Sequence, residues 1–311
     1  MRRLLILTHR YLGIPLSIAF VVWFISGIVM IYTRGFPTVT DDDRLAAMQP
    51  IEFSQLQLSA EAAWFQAGMR GAPAAVRLGS LLERPVWIYD FGFGRELRIF
   101  ADTGEVLNEL SSVQAAAIAE AWLNIDPNDL QFDATLIEPD QWTLLQRGDL
   151  PMHRYVVDDA AATQIYVSTF SGEVALVTTR QSRFFSWIGV IPHWLYFRPL
   201  RMQQPLWYWS VVALSALGCM LAAIGITMIF TQFRWKRPLS LKRSVRYRGW
   251  QRVHYFSGAL FGIFALTWAF SGMLSVEPFA WTRAQGLDVP SDALSGGEFD
   301  LGAFPAVDHT S

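Results

Sequence analysis

Two histidines in this chain of 311 residues stand at the head of matching stretches of sequence. Glycine, tryptophan, serine and glycine follow each of them at offsets of 4, 14, 17 and 18 residues: Gly13, Trp23, Ser26 and Gly27 after His9, and Gly258, Trp268, Ser271 and Gly272 after His254. Because an α-helix turns by about 100° per residue, offsets 0, 4, 14 and 18 fall within about 40° of one line. The spacing predicts two helices that each present histidine, two glycines and tryptophan on one face, with serine off it.

This pattern suits the ligation of a b-type haem. If the two helices pack together, the imidazoles of His9 and His254 face each other as axial ligands of one iron ion. Gly13 and Gly258, one turn further along, would leave room for the flat group. The spacing alone supports an alternative equally well, in which the histidines mark a membrane interface and the glycines only allow close helix packing. A buried ionisable residue at membrane depth favours the haem interpretation.

The remaining histidines and the single cysteine carry weaker signals. His193 lies in an aromatic segment, 191–197, where a lone histidine is usually structural; it would ligate a second haem only with a partner. His153 is expected at a surface or turn position. One cysteine, Cys219, excludes an intrachain disulfide, a cysteine-based zinc site and an iron–sulfur cluster.

Three stretches without any charged residue are long enough to position these histidines in a membrane. They are predicted as transmembrane helices at 11–33, 202–233 and 253–276, since a bilayer core of ~30 Å needs about 20 apolar residues. Only 17% of the chain is charged, against about a quarter in soluble domains. This composition excludes an ordinary soluble enzyme. No basic segment is interleaved with aromatic residues, so nucleic-acid binding is not expected.

The distribution of charge predicts the orientation. Residues 1–10 carry three arginines and 234–252 carry eight basic residues, with no acidic residue in either. By contrast, 34–201 holds 13 basic and 21 acidic residues, and 277–311 holds one arginine and six acids. Short basic segments stay in the cytoplasm. We therefore expect a multi-pass protein of the bacterial inner membrane with a cytoplasmic N-terminus, a cytoplasmic loop 234–252, and an acidic tail 277–311 in the periplasm.

The long insert between the first two spans is predicted to be a periplasmic α+β domain at 34–183, followed by an interfacial segment at 184–201. Ser59 and Ser111 mark helix starts, and alternating apolar residues indicate strands. Residues 99–106 and 167–174 match at an offset of 68 residues, each with a Gly-Glu-Val turn. Two such hairpins, each after a helix, predict a duplicated unit, although two unrelated hairpins remain an alternative.

Taken together, these motifs resemble the PepSY-associated transmembrane family. The resemblance rests on the opening at 9–13, the Ser-Gly pairs at 26–27 and 271–272, the twinned hairpins, and the run from Tyr166 to Phe197. It implies PepSY-like units in the insert and haem b on transmembrane histidines, with His9, His193 and His254 as ligands. Members usually have a fourth span, which residues 282–311 do not supply, so the His9/His254 site is favoured over an outer haem at His193.

The resemblance leads to two functional hypotheses. The first is an electron conduit that takes electrons from quinol or a cytoplasmic reductase and reduces a periplasmic ferric siderophore for iron uptake. The alternative is a non-enzymatic membrane-anchored PepSY module that binds or regulates a periplasmic protease or transporter. Whether the chain is an enzyme, a ferric-chelate reductase, stays open at this point. No nucleotide-binding fingerprint is present, so the electron donor must lie outside the chain.

Overall fold

The structure is a computed structural model that describes residues 2–33, 35–92, 95–234, 244–245, 247–283 and 300–303. Its α-helices, in chain order, are α1 (Arg2–Thr33), α2 (Asp41–Ala46), α3 (Ala60–Gln66), α4 (Ser112–Leu123), α5 (Arg180–Ile188), α6 (Val190–Trp194), α7 (Arg198–Arg201), α8 (Gln204–Gln232) and α9 (Trp250–Leu274). Its strands are β1 (Ala75–Leu81), β2 (Arg84–Asp90), β3 (Glu96–Phe100), β4 (Leu130–Leu136), β5 (Met152–Val157), β6 (Gln164–Ser168) and β7 (Val174–Thr178). Short 3₁₀ helices lie at Phe53–Gln55, Pro127–Asp129, Arg147–Asp149, Ala280–Thr282 and Leu301–Ala303.

The chain divides into two compact units. Met1–Tyr32 and Trp187–Gly286 form the helical unit, and Thr33–Ser186 with Leu287–Ser311 form the α+β unit. In the helical unit, α1, α8 and α9 are each long and apolar enough to cross a membrane, with mean hydropathies of 2.4, 2.2 and 1.5. The prediction of three transmembrane helices with an α+β insert between the first and second is confirmed. The membrane boundaries within these helices stay predictions.

Glycines allow the three long helices to pack closely. A Cβ built on Gly218 of α8 would lie 3.3 Å from Phe20 of α1 and 3.6 Å from Ala269 of α9. A Cβ on Gly272 of α9 would lie 3.3 Å from the ring of Trp23 on α1. Small residues at helix crossings let backbones approach, which is how helices associate in lipid. The successive contacts also show that α1 and α9 run in the same direction, with α8 antiparallel to both.

The α+β unit contains two helix-plus-sheet halves. In the first half, Ala63 and Trp64 of α3 are buried against the antiparallel sheet β1-β2-β3. In the second half, Ala115 and Ala119 of α4 are buried against the antiparallel sheet β4-β5-β6-β7. Each helix starts at a serine cap, since Ser59 and Ser111 accept hydrogen bonds from the third amide of their helices.

The two halves repeat the same buried contacts. Tyr89 donates a hydrogen bond to the carbonyl oxygen of the first residue of α3 at 2.6 Å, and Tyr155 donates to the carbonyl of the first residue of α4. Both hairpin turns need a positive φ, which Gly104 (77°) and Gly172 (67°) supply. The amide of each glycine donates to the residue four positions earlier, at 2.8 and 2.9 Å. The structure thus contains two antiparallel sheets with matching hairpin turns at an offset of 68 residues, and the duplication of a whole unit stays a prediction.

The expectation that His153 lies at a surface or turn was wrong. It lies on the inner strand β5 and is only 7% exposed. Its Nε2 is 3.0 Å from the carbonyl oxygen of Leu110, and its Nδ1 is 2.9 Å from the hydroxyl of Thr135. Because a carbonyl can only accept, Nε2 carries the proton and donates it. The polar ring is buried at little cost because both nitrogens have partners.

Candidate functional site

The structure brings His9 and His254 together. Both lie near the N-terminal ends of their helices, and α1 and α9 run in the same direction, so the rings meet at one end of the bundle. Their ring centroids are 6.1 Å apart and the ring planes are inclined by 46°. Beside His254, the hydroxyl of Tyr255 donates a hydrogen bond to the carbonyl of Ile229 at 2.7 Å, which holds this end of α9 against α8.

A glycine of the second helix makes room for His9. A Cβ built on Gly225 of α8 would lie 3.0 Å from Cε1 of the His9 ring, closer than side chains normally approach. The ring is thus held against the α8 backbone. Its Nδ1 is buried and makes no hydrogen bond of normal geometry to a described residue, although the backbone of Leu221 on α8 lies close to the ring. A buried imidazole nitrogen without a partner is costly unless it meets a ligand.

The geometry of this histidine pair fits a metal held between two imidazoles. With metal–nitrogen bonds of about 2.0–2.1 Å, two imidazoles on opposite sides of one ion have centroids about 6 Å apart. The observed 6.1 Å matches this value. Among the described residues, no three His, Cys, Asp or Glu side chains gather into a metal site. A pair of imidazoles suits a metal whose other ligands come with it, as the iron of haem does.

The two predicted haem-packing glycines have different surroundings. A Cβ on Gly13 would meet Leu221 of α8 at 3.6 Å, an ordinary contact, whereas a Cβ on Gly258 would have no atom within 4 Å. At the level of these two glycines, free space therefore borders α9 and does not border α1. The repeat is also uneven further along, because Trp23 is half-buried while Trp268 is 63% exposed. The roles of Gly13 and Gly258 toward haem stay predictions.

His193 is held at the opposite end of the bundle by the first copy of the repeat. Its Nδ1 lies 3.1 Å from the carbonyl oxygen of Trp23 and 3.2 Å from the hydroxyl of Ser26. The indole of Trp23 in turn donates to the carbonyl of His193 at 3.0 Å. A Cβ on Gly27 would lie 3.0 Å from the imidazole, so the glycine is needed for the ring to fit.

The three predicted ligands therefore occupy two separate places. His9 and Trp23 are 14 residues apart on α1, which corresponds to about 21 Å along the helix. His193 instead lines a cavity of about 500 Å³ within the helical unit. Of the described residues lining this cavity, His193 is the one histidine. The structure thus pairs His9 with His254 and leaves His193 without a second imidazole on the cavity wall.

Sequence reasoning missed two glycine contacts that shape these places. Gly225 lies outside the two matching stretches that begin at His9 and His254, so their spacing could not predict its role. It lies against His9 because α8 runs antiparallel to α1. The Ser26–Gly27 pair was detected as a repeat, but its contact with His193 was not predicted. The sequence carries no signal for this contact because the two Ser-Gly pairs are identical, and only the structure distinguishes Ser26, which is 1% exposed, from its exposed counterpart Ser271.

Comparison with known proteins gives one match. The family model described as the PepSY-associated TM region matches residues 6–298, which include all three histidines discussed above. No curated protein and no solved structure matches the chain.

Proposed function

The chain belongs to the PepSY-associated TM region family, and from this premise we propose that it is a membrane haem protein that carries electrons across the bilayer. We further propose that it lies in the bacterial inner membrane and reduces ferric chelates in the periplasm for iron uptake. Ferrous iron binds hard oxygen chelators far more weakly than ferric iron does. Reduction would therefore release the metal from a siderophore.

The observation that supports this proposal best is the His9/His254 pair. The centroids of the two imidazoles lie 6.1 Å apart between transmembrane helices, and Nδ1 of His9 is buried and makes no hydrogen bond of normal geometry to a described residue. An ordinary interfacial histidine keeps its polar tip in water or among head groups. The buried Nδ1 of His9 lies in neither place, which supports the ligand role over the packing role.

Each residue of this site has a distinct task. His9 and His254 would hold a b-type haem, which supplies one-electron redox chemistry. Gly225 holds the His9 ring against the α8 backbone, and Tyr255 ties α9 to α8 beside His254. An imidazole binds a metal through the lone pair of an unprotonated ring nitrogen, which each of the two histidines can offer.

The proposal is tested by absorption spectra of the purified full-length protein, oxidised and dithionite-reduced. We expect a Soret band and a haemochrome signal in the wild type, and loss of both in His9→Ala and His254→Ala. His309→Ala removes an imidazole from the tail and serves as the control that keeps the signal. A colourless wild type after growth with excess haem would overturn the proposal and leave the partner-binding alternative, which needs the insert but not the histidines.

A further inference from the structure

The cavity beside His193 has the features of a small-molecule site. Its volume of about 500 Å³ falls within the range of about 300–1,000 Å³ that is usual for ligand pockets. Ligand sites are mostly apolar with a few placed polar groups, and five aromatic side chains line this one: Phe20, Trp23, Trp194, Tyr196 and Trp207. These flat walls suit a planar ring.

The cavity has an opening to the outside of the bundle. Two of its lining residues, Val22 and Leu214, are 43% and 42% exposed. They lie on α1 and α8, within the candidate membrane spans. A ligand that is dissolved in the bilayer can therefore reach the cavity without crossing water.

His193 offers a hydrogen-bond acceptor in this cavity. Its Nδ1 lies 3.1 Å from the carbonyl of Trp23, which can only accept, so Nδ1 carries the ring proton. Nε2 is then a lone pair, and no described residue bonds to it. It requires a partner that donates a hydrogen.

A second polar group lies on another wall of the cavity. Ser215 of α8 is 2% exposed and lines the cavity with its hydroxyl-bearing side chain. A ligand with an oxygen at each end of a flat ring would satisfy both His193 and Ser215. An acyl chain lacks such donors, and a second haem would need another ligand that the described cavity wall does not provide.

We propose that this cavity binds a membrane hydroquinone, with Nε2 of His193 accepting a hydrogen bond from one hydroxyl of the ring. The deepest lining residues, Leu16 and Gly218, are each seven residues from the His9 level, or about 10 Å along the helices. A haem held by the histidine pair would then be close enough to take the two electrons of the hydroquinone one at a time, as the two hydroxyl protons leave and the ring becomes the quinone. That role as donor rests on the proposed function, whereas the binding itself does not.

The test is calorimetric titration of the full-length protein in detergent with tetramethylhydroquinone and with its dimethyl ether, which cannot donate. We expect the wild type to bind the hydroquinone about 3- to 10-fold more tightly than the ether, the worth of one hydrogen bond. His193→Phe should bind both ligands equally weakly. Ser215→Ala should weaken hydroquinone binding by a similar factor. Ser271→Ala, at an exposed serine of α9, should leave hydroquinone binding unchanged.

Three outcomes would overturn the hydroquinone site. They are equal affinity of the wild type for the two ligands, an unchanged hydroquinone affinity in Ser215→Ala, and two haems per wild-type chain with one in His193→Phe. The Ser215 variant keeps the test decisive if His193→Phe does not fold. Titration of His9→Ala separates the two proposals, because hydroquinone binding should persist there even when haem is lost.

Discussion

At the scale of single residues, two of the three candidate ligands are matched by a glycine on a neighbouring helix. His9 fits against Gly225 and His193 against Gly27, both with a Cβ position 3.0 Å from the ring. Half-buried histidines that are fixed in this way hold one orientation, which a metal ligand or a ligand-binding residue needs. The glycine is therefore as much part of each site as the histidine.

Replacement of Gly225 tests this pairing at the proposed haem site. In Gly225→Ala the new methyl group pushes the His9 ring by a few tenths of an ångström, and overpacking of this kind costs about 1–3 kcal/mol. We expect haem affinity to fall at least about fivefold, measured as haemochrome per protein during haem titration of the apoprotein. Gly262→Ala is the matched control, since its methyl group meets only Ile226, at 3.3 Å. Equal losses in both variants would contradict a specific role for Gly225.

The residue scale also shows what sequence could and could not predict. The His9/His254 pairing followed from spacing, because residues on one helix face follow the 3.6-residue period. Gly225 and the environment of His153 did not follow, because each depends on a chain segment far away in sequence. For His153 that segment is the loop carbonyl of Leu110, whose hydrogen bond makes burial of the ring tolerable.

At the scale of elements, a cluster of charges joins the two halves of the α+β unit. Glu173, in the second hairpin turn, lies 2.7 Å from Arg98 of β3, 3.1 Å from Arg44 of α2 and 3.7 Å from Arg77 of β1. Arg98 is only 6% exposed and its second partner is Glu96, at 2.7 Å. The turn of one half thus neutralises a buried cation of the other half.

Glu173→Gln is expected to destabilise the α+β unit. Burial opposes ionisation of Glu173, but Arg98, Arg44 and Arg77 outweigh it and lower the pKa of the carboxyl. Because Glu173 is 40% exposed, solvent screening limits the loss to about 1 kcal/mol, or a decrease in Tm of about 2–4 °C. The measurement is thermal unfolding of the full-length protein at pH 7, followed by circular dichroism.

The effect of Glu173→Gln depends on pH in a defined direction. A carboxyl with a lowered pKa stabilises the fold above its ordinary pKa, and this contribution disappears as the pH falls through the lowered value. The difference in Tm between wild type and variant should therefore be largest at pH 7 and should shrink below about pH 4. Glu105→Gln is the control at the equivalent turn position, where the side chain is 62% exposed and lies 3.8 Å from Arg84. A difference in Tm that does not shrink as the pH is lowered would contradict the charge mechanism.

At the element scale, the repeat of the hairpin turn was predictable from the sequence because a hairpin turn is a local structure. Its glycine, its positive φ and its hydrogen bonds all lie within eight residues that recur at 99–106 and 167–174. The charge cluster was not predictable. It requires β1, β3, α2 and the second hairpin to come together, and no local pattern specifies which arginine meets which carboxylate.

At the scale of the whole molecule, the formal net charge of −2 conceals a strong separation of charge. Of the eight basic residues at 234–252, seven lie between the second and third candidate spans and Arg252 lies at the start of the third, whereas all 21 acidic residues of 34–201 lie between the first and second spans. The positive-inside rule then predicts that the loop is cytoplasmic and the α+β unit periplasmic. The proposed reduction of ferric chelates in the periplasm requires this orientation.

Cysteine labelling tests this orientation directly. Cys219→Ser removes the natural thiol, and Ser54→Cys or Ser240→Cys then introduces one in the α+β unit or in the basic loop. Ser54 is exposed in its 3₁₀ helix, so a thiol there is accessible to reagents. The reagent is a membrane-impermeant maleimide, added to cells with a permeabilised outer membrane. It should label the thiol at position 54 but not the thiol at position 240. After cell lysis it should label both. The reverse pattern would place the α+β unit in the cytoplasm. A periplasmic ferric chelate would then lie on the wrong side of the membrane, although the His9/His254 haem site itself would be unaffected.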